Sequence, residues 1–159
     1  MKTVRIGAGS GFWGDNLAPA IEIAKNGDVQ YLAYDFLGEP TIPLLQKMRQ
    51  KNPAHGFVPA IRAVVRGVLP ICLEKGIKIL TNAGAANPQA CADSIIEAAR
   101  EIGITELKVG IVTTNNIQEK VEELLDRGET FTNLDTGDDD LGRVRDRIVG
   151  SYVYSGAYG

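Results

Sequence analysis

Four polar stretches of the sequence contain residue types that can bind or transform a small molecule. They cover residues 9–15, 35–41, 81–88 and 113–116, and each lies between an apolar run typical of a strand and a run typical of a helix. In an α/β sheet, such turns lie at the carboxyl ends of the strands, where these folds bind their ligands. We therefore expect these stretches, named loops one to four in chain order, to form one binding site.

Loop two contains two carboxylates, Asp35 and Glu39. Carboxyl groups held close together can have separate pKa values and act as general acid and general base. The same pair could hold a divalent cation, or Asp35 could cap the turn while Glu39 is solvated. We predict that Asp35 and Glu39 are the catalytic residues, and we predict no metal site.

The other loops contain groups suited to holding a substrate. In loop three, Asn82 and Gly84 precede Asn87, which begins a helix whose free backbone N–H groups can bind a carboxylate, a phosphate or a thioester oxyanion. Asn87 could instead act only as a helix N-cap. In loop one, Trp13 is suited to wall the apolar part of a substrate. The residues predicted to bind substrate are Ser10, Trp13, Asp15, Asn82, Gly84, Asn87, Thr113 and Asn115.

Loop one also matches the glycine spacing of the dinucleotide-binding fingerprint, with Gly9, Gly11 and Gly14. Asp35 lies near the position of a ribose-binding acid. However, Phe12 and Trp13 place large rings where the backbone should approach pyrophosphate, and Asp15 would repel a phosphate at the helix N-terminus. A non-nucleotide ligand is therefore preferred. An NAD(P)-binding oxidoreductase domain and a purely structural turn, with Trp13 plugging the core, stay as alternatives.

The nucleophilic residues form no recognisable catalytic set. Cys91 falls near the start of a predicted helix, where the dipole favours a thiolate, but a buried apolar role is the preferred interpretation. Cys72 lies within an apolar helix and is predicted to belong to the core. With two cysteines and His55 as the single histidine, no zinc spacing is present.

The periodicity predicts alternating strands and helices. Strands are expected at residues 3–8, 30–34, 77–80, 107–112 and 148–154, and helices at residues 17–26, 42–51, 59–75, 88–102 and 117–126, the third of them interrupted at Pro70. This order predicts an α/β fold, a Rossmann-like three-layer sandwich with a mostly parallel sheet of about five strands and helices on both faces.

Composition sets limits on the function. The chain has 159 residues, 44% of them hydrophobic, and a net charge of −3. We expect a single domain, without the basic field that nucleic acid or a membrane surface would require. The sequence contains no apolar run of about 20 residues that could cross a bilayer. Two isolated cysteines fit a reducing compartment, so a cytoplasmic location is expected.

Three motifs resemble those of a known family. SGFWGD at residues 10–15, YLAYDFLGE at residues 31–39 and NAGAANPQACA at residues 82–92 are similar, in order and spacing, to the N-terminal domain of the acyclic terpene utilisation (AtuA) family. The resemblance extends from Ile6 to the end of the sequence. Other members have alanine where this chain has Gly38, before Glu39.

The resemblance implies a function. The family is linked to the catabolism of citronellol-like acyclic terpenes, which proceeds through branched acyl-CoA esters. The resemblance therefore implies a catabolic enzyme domain that acts on a small branched acyl or acyl-CoA compound. It also implies that this domain is the N-terminal part of a longer architecture, and it specifies no cofactor. A non-catalytic subunit is a further alternative, because the aromatic end with Tyr152, Tyr154 and Tyr158 could form an interface edge. We expect a homo-oligomer or a partner subunit.

Overall fold

A computed structural model describes residues 3–38, 40–113, 116–138 and 140–151. The chain divides into two compact units, Met1–Ile111 and Val112–Gly159. The first unit contains the strands β1 (Ile6–Ser10), β2 (Tyr31–Tyr34) and β3 (Lys78–Thr81), and the helices α1 (Ala18–Asn26), α2 (Thr41–Lys51), α3 (Ile61–Gly67), α4 (Leu69–Lys75) and α5 (Pro88–Glu101). The α/β class and the parallel sheet are confirmed.

The strands pair in the order β1-β2-β3, and both pairs are parallel. Ala8, Ala33 and Leu80 lie side by side in this register. Both crossovers carry the chain in the same direction across the sheet. Because connections between parallel strands are right-handed almost without exception, both crossovers place their helices on the same face.

The helix-covered face contains the main core. Leu32 and Tyr34 project from β2 into this core and are 0% and 2% exposed. They belong to a buried cluster contributed mainly by α1 to α4, including Ala20, Ala24, Leu45, Ile61, Val64 and Cys72. Burial of this apolar surface is the dominant favourable contribution to folding.

The opposite face of the sheet is exposed. Ile6 is 61% exposed and Leu80 is 49% exposed, and Ala8, two residues after Ile6 on β1, is also exposed. A second layer of helices over this face is not seen among the described residues, so the predicted three-layer Rossmann-like arrangement is not confirmed. The two crossovers run in the same direction across the sheet, so neither of them places a helix on this face.

Local signals locate most helix ends correctly. The long predicted helix is interrupted at Val68, and Pro70 lies in the first turn of α4, where its missing N–H has no cost. Gly76 ends α4 in the left-handed conformation, with φ of 70°, which glycine adopts without strain. The start of α1 is one residue later than predicted, with the Asn16 side chain accepting from Ala18 N at 3.0 Å.

Residues 107–112 are not a strand, which corrects the prediction of a fourth one. Leu107 and Ile104 instead pack against a second cluster formed by Val65, Leu69, Ala98 and Ala99 of α3, α4 and α5. Leu107 is thus held by contact with helices, and the backbone of residues 107–112 joins no sheet ladder. A sheet of five strands is not confirmed.

The second unit contains α6 (Gln118–Asp126), α7 (Asp140–Arg143) and a short 3-10 helix, Arg145–Arg147. Within it, the Arg145 guanidinium pairs with Glu122 at 2.5 Å and with Asp126 at 2.7 Å. Residues 148–151 do not form the predicted last strand, and the rest of that prediction lies outside the described residues. No helix in the described part of the chain is both long and apolar enough to cross a membrane. The single-domain prediction stays a prediction.

Candidate functional site

The side chains of Asp35 and Asn82 meet where β2 and β3 end. Asn82 Nδ2 donates to Asp35 Oδ1 at 2.6 Å, and Asn82 Oδ1 accepts from the backbone N–H of Phe36 at 2.8 Å. The N–H of Leu37 donates to the same carboxylate oxygen at 3.2 Å. These bonds hold one carboxylate oxygen in place and join loop two to loop three.

The second carboxylate oxygen of Asp35, Oδ2, accepts no hydrogen bond from the described part of the chain, and the residue is exposed. A carboxylate held by one oxygen can offer the other to a ligand. Such an oxygen can accept a hydrogen bond from a substrate or exchange a proton with it. Asp35 therefore has one carboxylate oxygen that is held and one that is open to solvent at this edge of the sheet.

Ser10 links loop one to the same place. Its hydroxyl donates to the backbone oxygen of Asp35 at 3.2 Å, and the N–H of Asp35 donates to the backbone oxygen of Ser10 at 3.3 Å. The three loops that follow β1, β2 and β3 thus converge through Ser10, Asp35 and Asn82.

Asp15 folds inward within loop one. Its carboxylate accepts from the N–H of Gly11 at 2.8 Å and from the N–H of Asn16 at 3.1 Å. Trp13 is half-buried and packs against the main core, whereas the neighbouring ring of Phe12 is 57% exposed. The contacts observed for Asp15 and Trp13 thus shape the loop, and Phe12 is the ring that loop one presents to solvent.

These contacts bear on the dinucleotide alternative. The Gly11 N–H that a pyrophosphate would require already donates to Asp15. A Cβ at Gly9 would come within 2.6 Å of the Tyr34 ring, so packing alone accounts for that glycine. The observed contacts thus favour a structural origin for the glycine spacing.

Loop three is held by Asn87 and Gly84. Asn87 Oδ1 caps α5 by accepting from Ala90 N at 3.3 Å, while its Nδ2 donates to the backbone oxygens of Pro53 and His55, both at 2.8 Å. A Cβ at Gly84 would lie 2.9 Å from the Cα of Pro88. Both the oxygen and the nitrogen of the Asn87 side chain are thus hydrogen-bonded within the chain. The polar groups of loop three that face a possible ligand are therefore sought in Asn82 and the backbone of Gly84.

Three of the predicted site residues are not part of the described contacts of the first unit. Glu39 and Asn115 lie outside the described residues. Thr113 belongs to the second unit and is exposed. The roles predicted for these three residues stay predictions.

Both cysteines are buried, as preferred from the sequence. Cys91 is 3% exposed, and burial raises the pKa of its thiol to about 12. Cys72 is fully buried, and burial raises its pKa as well. Neither thiol is therefore a thiolate near neutral pH. Among the described residues, no group of three or more His, Cys, Asp or Glu side chains is arranged to hold a metal ion.

Sequence reasoning missed the direct bond between Asp35 and Asn82, although a signal for it exists. Each residue directly follows the last residue of its strand, and those last residues, Tyr34 and Thr81, are partners in the register. Neighbouring parallel strands that end at the same level place the next two side chains together. The exposed ring of Phe12 and the buried hydroxyl of Tyr34 had no comparable signal.

Comparisons with known proteins agree with the motifs of the three loops. No curated protein and no solved structure matches the chain. The model of one family, described as acyclic terpene utilisation family protein AtuA, matches residues 4–159. Since this match covers nearly all of the chain, the chain belongs to the acyclic terpene utilisation (AtuA) family.

Proposed function

We propose that this chain is a catabolic enzyme domain of acyclic terpene utilisation, acting on a small branched acyl or acyl-CoA compound by acid–base chemistry. One observation carries the proposal. Asn82 and Leu37 hold Asp35 Oδ1, while Oδ2 has no partner within the described residues. A carboxylate held in this way is oriented before the substrate arrives, which favours proton transfer.

In this mechanism Asp35 Oδ2 exchanges a proton with the substrate, and loop three stabilises the charge that develops on the acyl oxygen. The backbone N–H of Gly84 donates no hydrogen bond within the described residues. It is thus a donor available to an oxyanion or a carboxylate. Glu39 is proposed as the second carboxyl group of the pair.

The proposal includes a small-molecule substrate and a cytoplasmic location, with no nucleic-acid or membrane partner. It also includes assembly as a homo-oligomer or with a partner subunit. A CoA ester would enter as substrate, and no cofactor is specified. The family membership supports the terpene-related role, and the geometry at Asp35 supports acid–base chemistry.

The test is complementation of cells that lack the natural gene and are grown on an acyclic terpene alcohol. Asp35→Asn keeps the size of the side chain but removes the proton acceptor. Where the step catalysed by this protein limits growth, the growth rate should fall by about 10²-fold or more. Glu39→Gln is tested beside it.

The matched control is Asp28→Asn. Asp28 is also exposed, and it pairs with Arg5 at 2.9 Å near the other end of β2. This exchange should leave growth unchanged, since exposed pairs contribute little to stability. Normal growth with both Asp35→Asn and Glu39→Gln, at equal protein levels, would show that the acid–base assignment is wrong.

A further inference from the structure

We propose that the second unit has a binding site of its own for a small aromatic anion, whose carboxylate or phosphate group is held by Arg147. The site, named the arginine pocket, is an open pocket of about 580 Å³, a volume typical of small-molecule sites. Its lining combines apolar, amide and cationic side chains: Phe131, Asn133, Leu141, Arg143, Val144 and Arg147. All of these residues belong to the second unit, so the inference goes beyond the function proposed for Asp35.

One part of the lining follows from a spacing of three residues. The N–H of Val144 donates to the backbone oxygen of Leu141 at 3.2 Å, and the N–H of Arg147 donates to that of Val144 at 2.8 Å. Turns closed by such bonds between residues i and i+3 bring every third side chain to the same side. Leu141, Val144 and Arg147 therefore line the pocket together, with two apolar side chains leading to a cation.

A second part of the lining is held by a tight turn over residues 133–137. Asn133 Oδ1 accepts from the N–H groups of Asp135 at 2.8 Å and Thr136 at 3.1 Å, and the N–H of Gly137 donates to the backbone oxygen of Asn133 at 2.9 Å. Gly137 has a φ of 76°, which glycine adopts without strain. These bonds fix the backbone beside Phe131 before a ligand arrives, and such preorganisation lowers the cost of binding.

The guanidinium of Arg147 carries the inference. The second unit contains ten acidic and five basic residues, a formal charge of −5, so each of its cations has many carboxylates within its own unit. Three of these cations pair with carboxylates of α6: Lys120, Arg127 and Arg145. Arg143 has a partner as well. Arg147 has no ion pair or side-chain hydrogen bond within the described residues, so its five N–H donors are available to a ligand.

These side chains together select the chemistry of the ligand. A guanidinium is a planar fork that binds a carboxylate or phosphate with two parallel hydrogen bonds. The half-buried ring of Phe131 and the guanidinium plane both offer stacking surfaces to an aromatic ring. Because the unit is acidic, no general basic field attracts anions to it. Binding therefore depends on the pocket itself, and a small ring that carries one anionic group matches it.

The experiment is a calorimetric titration of the full chain with two aromatic anions, phenyl phosphate and benzoate. Binding of either one supports the inference, and the stronger of the two identifies the preferred anionic group. Inorganic phosphate should bind at least about tenfold more weakly than phenyl phosphate, because it lacks the ring that stacks and buries apolar surface.

Two variants test the roles of the charge and the ring. Arg147→Gln should weaken the binding of the aromatic anion by about tenfold or more, the effect expected for a hydrogen bond to a charged group. Its unfolding temperature should stay unchanged, since the side chain has no partner to lose within the described residues. Phe131→Leu keeps an apolar side chain but removes the stacking surface, so the aromatic anion should bind several-fold more weakly.

The matched control is Arg127→Gln, which removes the same charge from the same unit. Arg127 pairs with Glu123 and does not line the arginine pocket, so the affinity should change by less than about twofold at physiological salt, where distant charges are screened. The inference would be overturned if neither aromatic anion bound at millimolar concentration. Equal losses in Arg147→Gln and Arg127→Gln, or equal affinities for phenyl phosphate and inorganic phosphate, would overturn it as well.

Discussion

The ring of Tyr34 lies directly against Gly9, the last buried residue of β1. The position of a Cβ at Gly9 would be 2.6 Å from the ring, closer than any real contact. The same ring stacks on Phe36, with 5.7 Å between centroids. This contact anchors loop one and loop two at the point where Ser10 and Asp35 exchange hydrogen bonds.

Gly9→Ala should destabilise the protein. The added methyl group would meet a ring that is 2% exposed and surrounded by core, so overpacking should lower the free energy of unfolding by about 1–3 kcal/mol. Chemical denaturation measures this change. Gly11→Ala is the control, because its nearest neighbour would be 3.8 Å away. Equal stability of the two variants would contradict the packing account of Gly9.

Tyr34→Phe should keep or raise stability. The Tyr34 hydroxyl is buried and has no hydrogen-bond partner among the described residues, and burial raises its pKa. Removing a buried group without a partner is expected to change the free energy of unfolding by between about 0 and +1 kcal/mol. A clear loss in thermal and urea unfolding would mean that the hydroxyl is hydrogen-bonded in solution. Tyr31→Phe is the control, because Tyr31 is half-exposed and lies on the exposed face of the sheet.

The native protein should resist thiol reagents. With a pKa of about 12, Cys91 has roughly one thiolate in 10⁴ molecules at pH 8, and its burial adds steric protection. Labelling with iodoacetamide, read by mass spectrometry, should be slow at both cysteines and become complete in urea. Rapid labelling of Cys91 in the native state would restore it as a candidate nucleophile.

Acid should weaken the contact between α3 and α5. Hydrogen bonds from Arg66 and charges from both arginines lower the pKa of Glu101, which pairs with Arg66 at 2.8 Å and with Arg62 at 2.5 Å. A lowered pKa stabilises the fold at pH values above the ordinary glutamate pKa of about 4.3, and this stabilisation is lost as the pH falls through the folded value.

Glu101→Gln should therefore be less stable than the natural chain at pH 7 and similar to it at pH 2.5. The measurement is the pH dependence of the unfolding midpoint. A pH dependence in Glu101→Gln identical to that of the natural chain would contradict the role of this ion pair.

The sequence was most informative where structure depends on neighbouring residues. The helix ends at Gly76 and Gly103 and the start of α5 at Asn87 and Pro88 follow capping rules that act within a few residues. It was least informative at residues 107–112. There the alternation of apolar residues predicted a strand, but the backbone joins no ladder and Leu107 packs against helices instead.

By itself, the sequence determined the α/β class, the family and the positions of Asp35 and Asn82 directly after two strands, because these follow from local periodicity and recognisable motifs. Only the tertiary structure decided that Asn82 holds Asp35, that Asp15 turns onto Gly11 and that one face of the sheet stays open. Those features depend on the direction of the crossovers and on contacts between residues far apart in the chain, which no local pattern encodes.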